Sequence, residues 1–408
     1  IFTSSGSFVI SSLSESFPAT CDYFMVGGGG GGGSGHPTSS VGAGGGGGGG
    51  HATGTNLSVT AQTYSITVGT GGHGAVFQDD NNFYAGYNGY DSVISTPTVG
   101  IVTAYGGGGG ASRIPSSSTG ARSGGSGGGS AYPGPRFGRG LNPTTPSPIM
   151  PTIGSNLTHP WPSPLQQGYD GGDSPSDAEN PAGAGGGGAG GPGTNGDNGP
   201  SGAAGGDGGP GKASLYGYGP TAPQSYGGGG GGAAGTTPTK DPTKRGDNGH
   251  GGGRGAYGGG PWVVAATGPD ASYELQGVSG SDAFGGGGGG GGCTSPLWPG
   301  PETQMQGGYG GAGTVIIRYK IGTSETNTAQ ATGGAISFAG GKTIHTFLWS
   351  SSFTNPTSLT DVDFLVVGGG GAGSGNNGGG GGGGGVIYAT GQTLASGGHN
   401  VEIGQGGS

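Results

Sequence analysis

Aromatic side chains set among glycines are the residues of this chain best suited to chemistry, and the chemistry they suit is recognition. Tyr132, Phe137, Trp161, Tyr169, Tyr216, Tyr218, Tyr226, Tyr257, Trp262 and Trp298 stand in segments rich in Pro, Asn and Ser that separate blocks of glycine. Tyr and Trp give large contact area for little ordering entropy, and their rings stack on sugars. The same side chains could instead cap packed elements and shield them from water, so both readings stay open for each residue. Catalytic patterns are weaker. Residues 124–128 read Gly-Gly-Ser-Gly-Gly and formally fit G-x-S-x-G. A nucleophile elbow also needs a preceding strand, a following helix and triad partners, and none is visible. G-x-G-x-x-G recurs along the chain and means nothing without a βα context. Asp170 and Asp173, with Asp177 and Glu179 nearby, could offer oxygens to Ca²⁺, but the spacing is not that of an EF-hand loop. A solvated acidic loop is the simpler reading. Seven histidines are spread along the chain with no pair at metal spacing. The chain therefore reads as non-enzymatic, with no cofactor and no metal.

Composition narrows the class further. The 408 residues carry 12 Lys and Arg against 21 Asp and Glu, a net charge of −9. The basic residues are scattered; the nearest thing to a cluster is Arg136 and Arg139 beside Phe137. Nothing tracks phosphates, so nucleic acid is not an expected partner. No apolar stretch approaches the roughly 20 residues of a membrane span, so no membrane insertion is expected. No signal peptide is visible at the start. Cys21 and Cys293 permit one bridge, but sequence cannot show that they meet. Asn56-Leu57-Ser58 and Asn156-Leu157-Thr158 are glycosylation sequons, meaningful only in a eukaryotic secretory setting.

The elements that must position these residues are built around glycine. There are 119 glycines, and runs fill residues 27–33, 44–50, 106–110, 227–232, 285–292 and 378–385. A bare run has no apolar face, and its only strong interaction groups are backbone N–H and C=O. Two outcomes are open. The runs could be flexible coil, or extended helices of the polyproline-II type, three residues per turn with no internal bonds, lying side by side and bonded backbone to backbone. The flanking sequence favours the ordered bundle. With 8% charged residues, 8% aromatic residues and 16 Tyr, the composition lacks the high net charge and aromatic poverty of disordered chains. A hydrophobic fraction of 28% excludes a large conventional core. Strand patterns flank the runs: Phe2, Phe8 and Ile10 alternate with polar residues; residues 22–26 are apolar and lead into Gly27; Leu57 and Val59, then Tyr64, Ile66 and Val68, alternate again. Residues 92–94, 101–105 and 314–319 complete the set. The expected fold is mainly β, with small antiparallel β-sandwich units, an inserted bundle of polyglycine-II helices and almost no α-helix. Residues 1–105 form the β-rich part of a first unit, 106–313 the inserted bundle with aromatic loops, and 314–325 its closing strand.

Residues 326–408 start a second, truncated unit. Asp22-Tyr23-Phe24-Met25-Val26 before glycine corresponds to Asp363-Phe364-Leu365-Val366-Val367 before Gly368. Phe2 and Phe8 correspond to Phe347 and Phe353, and residues 64–72 to residues 399–407. Offsets of 341, 345 and 335 place small insertions and deletions between the copies. With Ile1 first and Ser408 in mid-pattern, the sequence is expected to be a window on a longer tandem array.

At these residues the chain resembles the glycine-rich repeat domains of bacteriophage tail and fibre proteins. The likeness rests on strand–Val–glycine runs at 25–27 and 366–368, Ile-Thr-Val-Gly-Thr-Gly-Gly at 66–72, Tyr105 before glycines, and Gly-Thr-Val-Ile-Ile-Arg-Tyr at 313–319. It is similar more loosely to phage tail-tip adhesins, whose glycine rods pack as a polyglycine-II sandwich and whose rod-end loops bind the host receptor. The resemblance implies a virion tail or extracellular protein. Its partners would be a host cell-surface receptor, glycan or outer-membrane protein, and other copies or fibre proteins, with homo-oligomers expected. The alternative is a structural extracellular filament or surface-layer repeat without a specific ligand. The two would be told apart by whether the loops cluster at a free tip.

Overall fold

The computed structural model describes residues 1–13, 18–35, 42–76, 85–96, 100–112, 120–131, 167–174, 182–197, 204–216, 224–233, 277, 279–291, 306–319, 329–339, 342–348, 350–371 and 382–404. The chain is mostly β, in several small antiparallel sheets, with no helix among the described residues. It divides into two units. The first comprises residues 1–214 and 224–320, and the second residues 215–223 and 321–408.

In the first unit, strands β1 (Gly6–Val9), β4 (Thr63–Thr67), β5 (Ser92–Thr96) and β6 (Gly100–Ala104) form one sheet, in the order β1-β4-β5-β6. Strands β2 (Thr20–Val26), β3 (His51–Ser58) and β9 (Thr314–Tyr319) form the other, with β2 in the middle. The alternation in the sequence sends Cys21, Tyr23 and Met25 to one face of β2, where they meet Leu57, Tyr64, Ile66, Ile94, Val102 and Val315 in a shared core. Period-two patterning of this kind is what closes two sheets into a sandwich. Cys21 is a free, buried thiol. Burial, aided by the charge of Asp22, pushes its pKa up to about 11.

The opposite face of β2 is the start of the bundle. Phe24 packs on Tyr226, which closes the short strand β8 (Gln224–Tyr226) paired with β7 (Lys212–Ser214). Phe24 and Tyr226 lie 4.9 Å apart between ring centroids, and Phe284 stacks on Tyr226 at 5.6 Å. After each of these two aromatics the next residue, Gly227 or Gly285, has φ of +70° or +66°. A Cβ at either position would also press on the Val26 side chain. Glycine is needed there because the backbone turns into the left-handed region while passing over Val26.

Beyond these junctions the glycine runs lie side by side. The N–H groups of Gly27, Gly30 and Gly33 donate to the carbonyls of Gly50, Gly47 and Gly44 at 2.8–3.0 Å. Those of Gly28 and Gly31 donate to Tyr90 and Tyr87, and those of Gly29 and Gly32 to Gly311 and Gly308. Donors that point to three neighbours in turn, with a repeat of three, are what an extended helix of three residues per turn produces. The run 44–50 is surrounded. It donates to segments 105–111, 184–187 and 285–288, and accepts from segments 27–33, 126–129 and Gly230. No direction is left for a side chain: a Cβ built at Gly44, Gly45 or Gly46 would collide with the carbonyls of Gly129, Gly230 or Gly30. Each glycine forfeits more conformational freedom on ordering than any other residue, and the offset is a nearly saturated set of backbone hydrogen bonds together with the dispersion gained when backbones approach this closely.

The second unit holds three hairpin-like pairs: β10 (Ala335–Ala339) with β11 (Lys342–Thr346), β12 (Ser351–Asn355) with β15 (Gly397–Val401), and β13 (Leu359–Val367) with β14 (Val386–Leu394). Its internal pairings repeat those of the first. Phe8 faces Tyr64 across β1 and β4, and Phe353 faces His399 across β12 and β15. Gly27 donates to Gly50 and Gly30 to Gly47; Gly368 donates to Gly385 and Gly371 to Gly382. A register shift follows Cys21 on β2 and Val362 on β13. At both shifts a carboxylate reaches across to a backbone N–H, Asp22 to Asn56 at 3.0 Å and Asp363 to Gly391 at 3.1 Å. Asn56 and Gly391 share the left-handed conformation, with φ of +57° and +63°. Buried Asn355 ties the unit together, donating to the carbonyls of Thr357 and Ala395 at 2.9 and 2.8 Å and meeting His399 Nε2 at 3.0 Å.

Candidate partner-binding surface

Seven of the ten aromatics singled out from sequence, Tyr132, Phe137, Trp161, Tyr218, Tyr257, Trp262 and Trp298, lie outside the described residues, as do Asp177 and Glu179. Tyr169 and Tyr216 are half-buried. Tyr169 is a rod residue: its carbonyl accepts from Gly127 and its N–H donates to Gly188. Tyr226 corrects the expectation of an exposed loop aromatic. It is 0% exposed, clamped between Phe24 and Phe284, and presents no surface to a partner. Ser126, the central residue of the Gly-Gly-Ser-Gly-Gly stretch, is fully buried inside the bundle; its N–H donates to the Gly48 carbonyl and its carbonyl accepts from the Gly108 N–H. Asp173 is partly buried, and desolvation raises its pKa. No group of three or more metal-ligating side chains occurs among the described residues. No helix among them is long and apolar enough to cross a membrane.

Three of the exposed aromatics among the described residues sit on the rods themselves. Tyr87, Tyr90 and Tyr309 are 49%, 65% and 48% exposed. Their backbones are held in the bundle: Tyr87 and Tyr90 accept from Gly31 and Gly28, Tyr87 and Tyr90 donate to His73 and Thr70, and Tyr309 accepts from Gly280. Tyr87 and Tyr90 are one three-residue turn apart, so both backbones face the run 27–33. The rings of His73 and Tyr309 meet edge-on at 5.2 Å, and those of His73 and Tyr87 at 6.4 Å. The Arg122 guanidinium lies 5.3 Å above the Tyr87 ring. Asn88 fixes the segment by accepting from the Gly109 N–H and donating to the Ser123 carbonyl. The outcome is a ladder, Arg122–Tyr87–His73–Tyr309, fixed at its backbone and open at its rings. Flat rings with polar tips beside a cation are suited to stacking on sugar faces or aromatic partners. These residues are not among the loop aromatics that the sequence singles out. The signal was the spacing of three between Tyr87 and Tyr90 beside Gly86 and Gly89, visible once the three-residue turn is applied outside the pure glycine runs.

A second feature lies where strands become rods. Ser92 Oγ donates to the Val26 carbonyl at 2.7 Å and accepts from the Gly69 N–H at 3.0 Å. Gln167 accepts from the Tyr105 N–H and donates to the Thr103 carbonyl, each at 2.9 Å. Its own carbonyl accepts from the His51 backbone N–H at 2.9 Å and lies 3.0 Å from His51 Nδ1. Burial lowers the His51 pKa and the Lys212 charge adds to that, against the hydrogen bond to Gln167, which raises it. These contacts are a joint, and the chemistry they carry is structural.

A bundle of glycine-rich rods seated on a β-sandwich, with a second copy of the same strand pattern downstream, defines a glycine-rich repeat architecture. The chain belongs to the glycine-rich domain family, whose pattern matches residues 3–320 and 343–408. No curated protein matches it.

Proposed function

We propose that this chain is a non-enzymatic attachment protein, in which a polyglycine-II-type bundle presents side chains to a cell-surface receptor, glycan or protein. The observation that carries this reading is the Arg122–Tyr87–His73–Tyr309 ladder, whose backbones are bonded into the bundle while the rings stay open. A surface ordered in advance loses little entropy when it binds. Because a bundle of bare backbone has almost no other side-chain chemistry, recognition falls to the few residues that leave it. The likeness of the strand–glycine boundaries to phage tail and fibre repeat domains supports placing the chain in a virion tail, with the host surface as its target.

The test is binding of the purified chain to a glycan array and to candidate host cells, with Tyr87→Ala and Tyr309→Ala beside the parent chain. Aromatic residues at the centre of an interface typically contribute ~2 kcal/mol or more, so the double variant should lose at least about 30-fold in affinity with unchanged thermal stability. Equal binding by parent and double variant would remove the ladder from the interface. A structural extracellular filament is the second reading, and the second copy of the strand pairings in the same chain is the observation that favours it.

A further inference from the structure

A helix of three residues per turn aims its N–H groups in three directions, taken in rotation along the rod. In the rod 106–111 two of those directions reach other rods. Gly107 and Gly110 donate to Gly28 and Gly31, and Gly108 and Ala111 donate to Ser126 and Gly129. The carbonyls of the same rod accept from further stretches, Gly108 from Gly47, Gly110 from Gly86 and Gly109 from Arg122. The third donor direction meets no rod among the described residues. There Gly106 donates to Asp91 Oδ1 at 2.8 Å and Gly109 donates to Asn88 Oδ1 at 3.1 Å. Asn88 also donates, from Nδ2 to the Ser123 carbonyl at 3.0 Å. Ser123 lies in the stretch that bonds rod 106–111 through Arg122 and Gly125, on the other side of the same direction. A side-chain amide carries a donor and an acceptor as a peptide group does. Asn88 therefore takes, on both sides, the hydrogen bonds that one residue of a further rod would make.

The rod 306–313 is finished in the same way. Gly307, Gly310 and Gly313 donate to Ala75, Gly72 and Gly69, and Gly308 and Gly311 donate to Gly289 and Gly286. The N–H groups that remain, those of Tyr309 and Ala312, donate to Ser279 Oγ at 3.2 Å and Asp282 Oδ1 at 2.9 Å. The four capping residues are exposed. Both caps share one spacing. The capping segment donates to its rod from Gly86 and Gly89, or from Gly277 and Gly280, and its side chains accept from the rod two positions after each of those glycines. The sequences are Gly-Tyr-Asn-Gly-Tyr-Asp and Gly-Val-Ser-Gly-Ser-Asp. The stretch 193–196, Gly-Thr-Asn-Gly, follows suit: Gly193 and Gly196 donate to the carbonyls of Asp170 and Asp173, and Asn195 Oδ1 accepts from the Asp173 N–H at 2.8 Å. Residues 168–173 have the same spacing, yet Asp173 Oδ1 meets no hydrogen-bond partner. The spacing caps only where the spare N–H groups of a rod face it.

We propose that these side chains terminate the glycine lattice: they occupy the hydrogen bonds of the next rod, and so keep the bundle finite and closed to glycine rods of other molecules. The need is physical. Bare backbone carries no side-chain code, so an uncapped rod would bond any glycine run, as an unpaired sheet edge bonds any strand. Asp91 and Asp282 add like charge at the rim, which repels a second copy. This role is independent of the attachment reading, and neither depends on the other.

The test compares the full chain with the pair Asn88→Gly and Asp91→Gly, and with the pair Asn88→Ala and Asp91→Ala. Both pairs remove the cap, but only glycine lets a rod approach, because alanine keeps its Cβ in the way. The probe is a peptide of glycines flanked by lysines, matched in length to residues 44–50. Peptide binding and sedimentation at rising concentration are the readouts. The glycine pair should bind the peptide at least about tenfold more tightly than the parent, given the two backbone N–H groups released, or should self-associate where the parent does not. The alanine pair should behave as the parent does. Ser279→Gly with Asp282→Gly should repeat the result at the other rim, which covers a failure of the first pair to fold. In the parent, the Gly106 and Gly109 amides should resist hydrogen exchange as well as those of Gly107 and Gly108. The proposal is overturned if folded glycine pairs stay as inert as the parent, or if the alanine pair associates equally. Fast exchange at Gly106 and Gly109 in the parent overturns it without any variant.

Discussion

At the scale of single residues the glycines are required by space. Gly30 lies in a rod whose neighbours approach from every side, and a Cβ there would collide with the Gly108 carbonyl. Forcing an extra carbon into a packed site costs typically ~1–3 kcal/mol, and here the obstacle is backbone, which cannot rotate away. Gly30→Ala is therefore expected to lower unfolding free energy by at least that amount, while Gly383→Ala, at an open position in the second unit, leaves it within error. Chemical denaturation of the two variants beside the parent decides the matter. The same reasoning separates this bundle from a flexible glycine linker, in which both substitutions would be silent.

At the scale of elements, the junctions rather than the rods carry side-chain specificity. Tyr226 and Phe284 stack over Phe24, and the chain then enters the rods through Gly227 and Gly285 in the left-handed region. The bulge on β3 is the other specified feature. Asn56 has φ of +57° and its N–H donates to Asp22; Gly391 holds the same place in the second unit with Asp363. Left-handed backbone is tolerated by Asn and Gly and costs other residues roughly 1–2 kcal/mol. Asn56→Ala should destabilise the first unit by about 1 kcal/mol, whereas Asn56→Gly, borrowing the second unit's solution, should not. Thermal melts of both variants provide the check. Loss in both would mean that the Asn side chain, rather than the backbone shape, is what the bulge needs.

For the whole molecule, stability should depend on pH through the joint between sandwich and bundle. His51 is held with a pKa below its ordinary 6.5 by burial. The unfolded chain takes up a proton near that ordinary value while the folded chain resists it. Stability is then full above about pH 6.5 and falls as pH drops through that value toward the lowered folded pKa. Denaturant midpoints measured at pH 7.5 and 5 should differ, and His51→Gln should narrow the difference by removing one resisting group. If the variant and the parent share the same pH dependence, protonation at this joint is not coupled to folding.

The sequence by itself determined the strand pattern and the repeat with its offsets, and it favoured packed bare backbone over flexible coil. Each of these depends on local alternation or on the absence of side chains, which are properties of the string. It also placed Phe8 with Phe353 and Tyr64 with His399, pairs that occupy matching positions in the two units. The partner of each rod was decided only in three dimensions, because glycine carries no side chain to mark one neighbour from another. Segment 44–50 touches stretches as distant as 184–187 and 285–288, and nothing in a run of identical residues states that choice. The position of the aromatics was undecided for the same reason. Tyr226 and Tyr87 both stand beside glycine in the sequence, yet one is sealed against Phe24 and the other is open beside Arg122. What separates them is whether the adjoining rods lie over a sheet or at the rim of the bundle, a matter of which chains pack together.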